Sequence, residues 1–205
     1  IVDAVASFGG MHIPVDELGV DVLVGTPNKA LGTPPGLGIM TMSKRALQAA
    51  YDNPSPRGWY LDVRTWMEFR KEWKHHPYPS TLPTNNMVAL NKALDMFFEV
   101  GPEAHYGRIS SAAEHVRSEL GKLGFEVFPE ASYRAPMVSV FSAPEGVDIP
   151  DMLKYLLSEH NIMVGNGIGV LAGKVFRIGH MGDSNRPENV EGLLNAIRQY
   201  VSRKN

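Results

Sequence analysis

The chain has 205 residues, 43% of them hydrophobic and 20% charged, which is the composition of a globular protein and excludes a disordered one. Its 20 basic and 22 acidic residues give a net charge of -2, without the basic excess of a nucleic-acid-binding protein, and no apolar run suits a membrane span. The absence of cysteine excludes disulfides, thiolate metal ligands and cysteine nucleophiles, and it favours the cytoplasm, with an organelle lumen as the alternative.

Three strands are predicted at the start of the chain, over residues 1–5, 20–24 and 38–42, where short apolar runs are bounded by glycine. The first run opens the chain without methionine or a signal-peptide pattern, so we expect this chain to be the C-terminal part of a longer protein. Between the second and third strands, residues 25–36 are dense in proline and glycine. This density excludes a regular element and predicts a rigid loop around Lys29.

Helices follow these strands. Ser43 is predicted to cap a helix that reaches about residue 51, a second helix covers 61–73, and Thr84 is predicted to cap a third that ends at residue 100. A long amphipathic helix is predicted over 103–123, with Gly124 just beyond its end.

From residue 125 onward, short strands alternate with helices. The predicted strands are 125–128, 137–141 and 175–178, and the predicted helices are 149–160 and 187–202, which together indicate an α+β layer. We therefore expect a domain boundary near 101–103, dividing residues 1–101 from residues 102–205.

Three charged residues lie in apolar surroundings, where burial without a partner would be costly: Asp3, Lys29 and Arg177. Taken singly, each has an ordinary explanation as a solvated acid, a surface lysine or an arginine whose head group reaches solvent. His75 and His76 are adjacent and lack a suitably spaced carboxylate, so no metal site is predicted.

Two further features have ordinary interpretations. His12 and His180 are predicted to form hydrogen bonds within loops. The glycine-rich residues 165–169 do not lead into a helix, so they predict a flexible loop rather than a dinucleotide-binding turn.

The motifs together resemble a known family. Residues 3–10 read DAVASFGG, residues 28–31 NKAL, residues 34–37 PPGL, and residues 176–182 FRIGHMG. In this order they resemble the fold-type I aminotransferases of class V, and in particular the alanine–glyoxylate and serine–pyruvate aminotransferase group, over essentially the whole chain. The resemblance implies an α/β fold, with 1–101 as the C-terminal part of a large, mainly parallel-sheet domain that binds pyridoxal phosphate. Residues 102–205 would then form a small C-terminal α+β domain.

The resemblance also implies pyridoxal phosphate as the cofactor and assigns roles to the three charged residues. Lys29 matches the lysine that binds the cofactor covalently and carries a proton during transamination. Asp3 matches the acid that pairs with the pyridine nitrogen and keeps the ring an electron sink. Arg177 matches the arginine that binds the substrate carboxylate, for which its forked guanidinium is well suited.

Further cofactor contacts follow from the same resemblance. Val5, expected two residues along the strand from Asp3 and on the same face, would pack against the ring. Thr26 and Asn28 flank the lysine and would bind the phosphate. Residues 74–81 match a segment that relatives lend to the neighbouring subunit's phosphate, although Lys74 replaces the family's tyrosine and Pro77 its threonine. The candidates for those contacts in this chain are Lys74, Tyr78 and Thr81.

The implied function is transfer of an amino group from alanine or serine to glyoxylate or pyruvate by a homodimer, without nucleic-acid or membrane partners. Pyridoxamine–pyruvate, aminoethylphosphonate–pyruvate and ureidoglycine–glyoxylate transaminases remain alternatives. A desulfurase or lyase of the same fold is disfavoured by the missing cysteine and by Asn28 before the lysine, where desulfurases usually have histidine. The last alternative is a non-catalytic fragment that lacks the N-terminal half of the site.

Overall fold

The computed structural model describes residues 1–55 and 58–203. Three strands form the first sheet, β1 (Val2–Asp3), β2 (Val22–Gly25) and β3 (Ile39–Met42), in the order β1-β2-β3. The mainly parallel arrangement expected for this sheet holds for β1 and β2, whereas β3 pairs antiparallel with β2. The connection between β2 and β3 explains this, because a parallel pair needs a crossover connection, usually a helix, and residues 26–38 contain none.

Three helices follow, α1 (Lys44–Asp52), α2 (Val63–Glu72) and α3 (Thr84–Val100). Ser43 caps α1 as predicted, because its hydroxyl accepts a hydrogen bond of 3.0 Å from the amide of Ala46. The prediction that Thr84 caps α3 is wrong. Thr84 is the first helical residue behind Pro83, and its hydroxyl points to the carbonyl of Leu82 at 3.4 Å instead.

A single glycine separates α3 from α4 (Pro102–Lys122). Gly101 has a φ of +88°, a conformation that L side chains rarely adopt, and it ends α3 and begins α4. Pro102 follows at the first position of α4, where its missing N–H costs no hydrogen bond. The turn from α3 to α4 is thus specified by two residues. At the other end of α4, Gly124 lies just beyond the helix with a φ of +84°, as expected.

The second sheet lies beyond α4, in the order β4-β5-β7-β6, and all its pairs are antiparallel. Its strands are β4 (Glu126–Val127), β5 (Val138–Ser142), β6 (Gly165–Asn166) and β7 (Val175–Gly179). The accompanying helices are α5 (Ile149–His160) and α6 (Pro187–Ser202), with short 3-10 helices at Ala131–Tyr133, Gly169–Leu171 and Gly182–Asn185.

The flexible loop predicted at 165–169 is wrong at its start. Gly165 and Asn166 form strand β6 and pair with Arg177 and Phe176 of β7. The side-chain oxygen of Asn166 accepts hydrogen bonds from Gly167 at 2.7 Å and Gly173 at 3.0 Å, which closes the turn that follows. A two-residue strand that begins with glycine has no alternation of apolar and polar side chains, so the sequence gives no signal for it.

The main hydrophobic core joins α4, α5 and α6 to the second sheet. Its largest fully buried members include Phe141 of β5, Phe176 of β7 and Leu194 of α6. By contrast, α1, α2 and α3 contain no buried residue among those described. On α3 several large apolar side chains are exposed: Met87, Val88, Met96, Phe98 and Val100.

Within the described part of the chain, no helix combines the length and the apolar character required to cross a bilayer. The division into residues 1–101 and 102–205 stays a prediction.

Candidate active site

Lys29 lies in a loop whose backbone is held while its side chain is free. The carbonyl of Lys29 accepts a hydrogen bond from Gly32 at 3.2 Å, and the carbonyl of Pro27 accepts one from Thr33 at 3.3 Å. Pro27 is buried, whereas Lys29 is exposed and its amine has no partner among residues 1–55 and 58–203. A fixed backbone that presents an unpaired amine suits covalent attachment of a carbonyl compound.

Asp3 ends β1 beside the strand that leads to this loop. β1 and β2 are parallel, with Asp3 opposite Val24, so Asp3 and the loop after Gly25 emerge at the same edge of the sheet. Ligands of α/β sheets bind at the edge formed by the carboxyl ends of parallel strands. The Asp3 carboxylate is exposed and accepts one hydrogen bond, of 2.9 Å, from the amide of Val5. Its remaining lone pairs are thus available to a ligand.

The expectation that Val5 lies in the same strand as Asp3 is wrong. β1 ends at Asp3, Ala4 is buried, and Val5 begins a run of turns. The amide of Val5 bonds back to the carboxylate of Asp3, which turns the chain away from strand geometry. Strand alternation therefore does not orient the Val5 side chain, and packing of Val5 against a ring stays a prediction.

Thr26 and Asn28 differ in how many of their hydrogen-bonding groups already have partners within the loop. The Thr26 hydroxyl donates to the carbonyl of Leu37 at 2.8 Å and also contacts the side-chain oxygen of Asn28. The side-chain nitrogen of Asn28 has no hydrogen-bond partner among the residues that the structure covers. Asn28 thus offers a free donor to an anionic group, while Thr26 would have to give up its bond within the loop.

Arg177 lies in the middle of β7, half-buried, with its guanidinium over β6. Its Nε donates to the carbonyl of Asn166 at 2.9 Å, and both terminal nitrogens lack a partner in the described part of the chain. Gly165 makes room for this arrangement, because a methyl group there would lie 3.3 Å from Nε and 3.4 Å from Nη2. Two free nitrogens of a fork match the two oxygens of a carboxylate. Arg177 also lines a cavity of 520 Å³.

The segment that follows the Arg177 strand approaches the loop of Lys29. A methyl group on Gly182 would lie 3.9 Å from the carbonyl oxygen of Lys29, and one on Gly32 would lie 3.5 Å from the Cα of Gly182. Nearby, Met137 and Ala30 pack in one small buried cluster. The fold thus brings the backbones of the FRIGHMG and NKAL segments close together, although they are far apart in the sequence.

Two buried histidines near these two segments, His105 and His180, have lowered pKa values. Burial, reinforced by Arg117, lowers the pKa of His180 from 6.5 to about 4. Burial and the charge of Arg108 lower the pKa of His105, although the nearby backbone of Gly9 and Ala30 acts in the opposite direction. His180 does form a hydrogen bond as predicted, but it lies in the protein interior. In the sequence, the position of His180 directly after an apolar strand is the feature that could have indicated its burial.

The segment predicted to reach a neighbouring subunit is irregular, as its prolines indicated. Lys74 and Thr81 are exposed, while Tyr78 is half-buried with its ring centroid 4.3 Å from that of His76. Contacts of these residues with a second subunit's phosphate stay a prediction. Within residues 1–55 and 58–203, no group of three or more potential ligand side chains is arranged to bind a metal.

The comparisons with known proteins agree with each other. Residues 1–193 match the family model for aminotransferase class-V. The chain is 37% identical, over 89% of its length and 47% of the relative's, to an uncharacterized aminotransferase of Methanocaldococcus jannaschii. It is 34% identical, over 96% of its length and 50% of the relative's, to the pyridoxamine–pyruvate transaminase of Mesorhizobium japonicum.

A solved structure extends the likeness to three dimensions. The alanine–glyoxylate aminotransferase from Nostoc sp. superposes with a TM-score of 0.89 at 36% identity, over 97% of this chain and 52% of that one. The chain therefore spans about half the length of the curated relatives it matches.

Proposed function

The chain belongs to the class-V aminotransferase family, and from this premise we propose that it forms part of a pyridoxal-phosphate-dependent aminotransferase that moves an amino group from alanine or serine to glyoxylate or pyruvate. The fold expected from the sequence is confirmed, because the chain shares the α/β fold of the fold-type I transferases. Enzymes of this family use pyridoxal phosphate, which supplies an electron sink for charge that develops at the substrate's Cα.

The observation that carries the proposal is that the fold brings together the segments to which three charged residues belong. The free amine of Lys29 and the exposed carboxylate of Asp3 belong to one sheet edge, and Gly182, five residues after Arg177, lies close to the Lys29 loop. These residues fit the cofactor, because it requires an amine for its aldehyde and an acid for its ring nitrogen.

Each residue has a role in this proposal. Lys29 would hold the cofactor through its Nζ, and once the amino group of the substrate has taken its place, the same Nζ would accept the proton from the substrate's Cα. Asp3 pairs with the ring nitrogen, Val5 packs beside the ring, and Thr26 and Asn28 bind the phosphate.

Substrate binding and assembly complete the proposal. Arg177 binds the substrate carboxylate through its two free terminal nitrogens and so fixes the orientation of the amino group. The enzyme is a homodimer, and Lys74, Tyr78 or Thr81 reaches the phosphate of the second subunit. A cytoplasmic location stays a prediction.

The test is a half-reaction with the natural protein in its cofactor-loaded form. Incubation with alanine, without an oxo acid, should release one equivalent of pyruvate per bound cofactor and then stop. Addition of glyoxylate should then yield glycine and allow a second equivalent to form. If a cofactor-loaded protein released no oxo acid from alanine or serine, the proposed donor class would be wrong. Conversion of free pyridoxamine and pyruvate into pyridoxal and alanine would instead favour the activity of the Mesorhizobium relative.

A further inference from the structure

A buried chain of hydrogen bonds links the end of β7 to α4 through β5. His180, which is 0% exposed, lies directly after β7, and its Nε2 is 2.9 Å from the Oγ of Ser139. Ser139, which is 1% exposed, accepts a hydrogen bond of 2.8 Å from the Nε of Arg117 on α4. Arg117 also donates to the carbonyl of Ala135 at 2.6 Å. Three elements are therefore tied together at one buried hydroxyl group, and we call His180, Ser139 and Arg117 the buried chain.

The donors available fix the direction of the hydrogen bond between Arg117 and Ser139. Arg117 can only donate, so one lone pair of the Ser139 oxygen is occupied. Nε2 of His180 pairs with the remaining lone pair or with the proton of the same hydroxyl, according to the imidazole tautomer, and Nδ1 has no hydrogen-bond partner within the described residues. A neutral imidazole fits this arrangement, and burial beside Arg117 lowers the pKa of His180 accordingly.

His180 lies between the two parts of the proposed site. It follows Arg177 by three residues and precedes Gly182, which touches the Lys29 loop, by two. Its amide donates to the carbonyl of Met137 at 2.8 Å, and Met137 packs in one buried cluster with Ala30, the neighbour of Lys29. The buried chain therefore fixes the segment that connects the guanidinium to the lysine loop.

We propose that Ser139 and His180 are positioning residues that set the placement of Arg177 relative to Lys29. Because this role rests on the proposed function, Arg177 is taken to bind the substrate carboxylate and Lys29 to act at the Cα of the same molecule. A substrate held at both ends reacts well only when the two protein groups are correctly spaced, and small displacements are costly. Neither Ser139 nor His180 needs to touch the substrate.

The test uses Ser139→Ala in the natural, cofactor-loaded protein. The substitution removes the hydroxyl that joins Arg117 to His180, so we expect the KM for the amino donor to rise about fivefold, the effect of losing one hydrogen bond. Cofactor content and the absorbance of the lysine-bound cofactor should not change. The matched control is Ser142→Ala, in the same strand, whose hydroxyl lies 3.4 Å from the carbonyl of Glu126 and outside the buried chain. Its KM should equal that of the wild type.

Measuring Ser139→Ala in a protein that also carries Arg177→Ala separates a positioning role from a general loss of stability. In an Arg177→Ala protein, Ser139→Ala should cause no further rise in KM, because the group that it positions is gone. His180→Gln retains a hydrogen-bonding group and should stay within twofold of the wild-type KM, whereas His180→Leu should behave like Ser139→Ala. These two variants test the proposal even if Ser139→Ala does not fold.

Two results would overturn the proposal. One is an unchanged KM in both Ser139→Ala and His180→Leu while the wild type is active, and the other is an equal rise in KM with and without Arg177. Either result would leave the proposed function intact. A cofactor-loaded wild type that releases no oxo acid would contradict both the proposed function and this role, and it would be recognised before any variant is made.

Discussion

Lys29 differs from an ordinary surface lysine in its backbone rather than in its side chain. Many lysines have an exposed amine, but here the carbonyl of the same residue is hydrogen-bonded and its neighbour Ala30 is buried. A reactive group gains from being held by a rigid support, because less ordering remains to be done when the ligand binds. The combination of a fixed Cα and a free Nζ is what supports the role we propose.

His180 should make the stability of the protein depend on pH. Its pKa is about 4 in the folded protein against an ordinary 6.5, so the unfolded chain binds a proton at a higher pH than the folded one. The free energy of unfolding is therefore unaffected above pH 6.5 and falls as the pH drops toward 4. Between pH 7 and pH 5 this loss should be about 2 kcal/mol.

Urea unfolding of the wild type, His180→Leu and His12→Gln at both pH values would test this expectation. His180→Leu should be less sensitive to pH than the wild type by that amount, whereas His12→Gln, at an exposed histidine, should behave like the wild type. Equal pH sensitivity in the wild type and His180→Leu would show that His180 is not held neutral.

At the residue level, the sequence could identify charged groups but not their surroundings. Asp3 and Arg177 stood out because each lies in an apolar strand, and Lys29 because it lies in a rigid loop directly after one. The position of Val5 depended on where β1 ends, and the bond from its amide to Asp3 is not visible in a pattern of residue types. The burial of His180 likewise depends on packing between distant segments.

The turn that follows β1 packs against the lysine loop. Gly9 has a φ of +73°, and a methyl group there would lie 2.7 Å from the Cγ of Leu31. We expect Gly9→Ala to displace Leu31, lower the free energy of unfolding by more than 2 kcal/mol and reduce cofactor retention, because the collision adds to the backbone strain.

Gly19 provides a matched control for that substitution. Its φ of +62° is similar, but a methyl group there would have no neighbour within 4 Å. Gly19→Ala should cost only the strain, about 1 kcal/mol, and leave cofactor retention unchanged. Urea unfolding together with cofactor quantitation would measure both effects. Equal costs for the two variants would show that the contact between Gly9 and Leu31 is unimportant.

Among the elements, helices were easier to predict than strands. The bounds of α5 and α6 match the prediction because apolar periodicity and proline near the first turn mark them clearly. The strands match less well: β1 and β4 are shorter than predicted and β2 and β5 are shifted along the chain, since strand bounds are set by pairing with partners that the sequence does not reveal.

At the scale of the whole molecule, the two halves of the chain differ in how many of their large apolar side chains are buried. The second sheet and its helices enclose a core, whereas α3 exposes five large apolar side chains. Single exposed apolar side chains are normal on a free protein surface, whereas five large ones on one helix are unusual. Together with the half-length match to relatives, this exposure leads us to expect that α3 is covered in the natural protein.

A matched pair of valines tests this expectation. Val88 of α3 is 66% exposed and Val170 is 85% exposed. In the natural protein, Val88→Ser should lower the free energy of unfolding by about 2 kcal/mol, the value of a buried valine side chain. Val170→Ser should change it by less than about 0.5 kcal/mol. Similar small effects at both positions would mean that α3 stays exposed to solvent.

At this scale, the resemblance of short motifs in the right order predicted the family, because those motifs carry the chemistry of the site. What it could not predict is the contact between Gly182 and the lysine loop, since that contact depends on how α4 and the second sheet place the end of β7.

We propose above all that Lys29 binds pyridoxal phosphate covalently. Borohydride reduces the double bond between a lysine nitrogen and the cofactor to a stable single bond, so treatment of the natural protein followed by peptide mass mapping locates the lysine directly. We predict one adduct, on the peptide that contains Lys29, and none in a Lys29→Ala variant. Bound cofactor with no reducible adduct, or an adduct on another lysine such as Lys92, would contradict this role of Lys29.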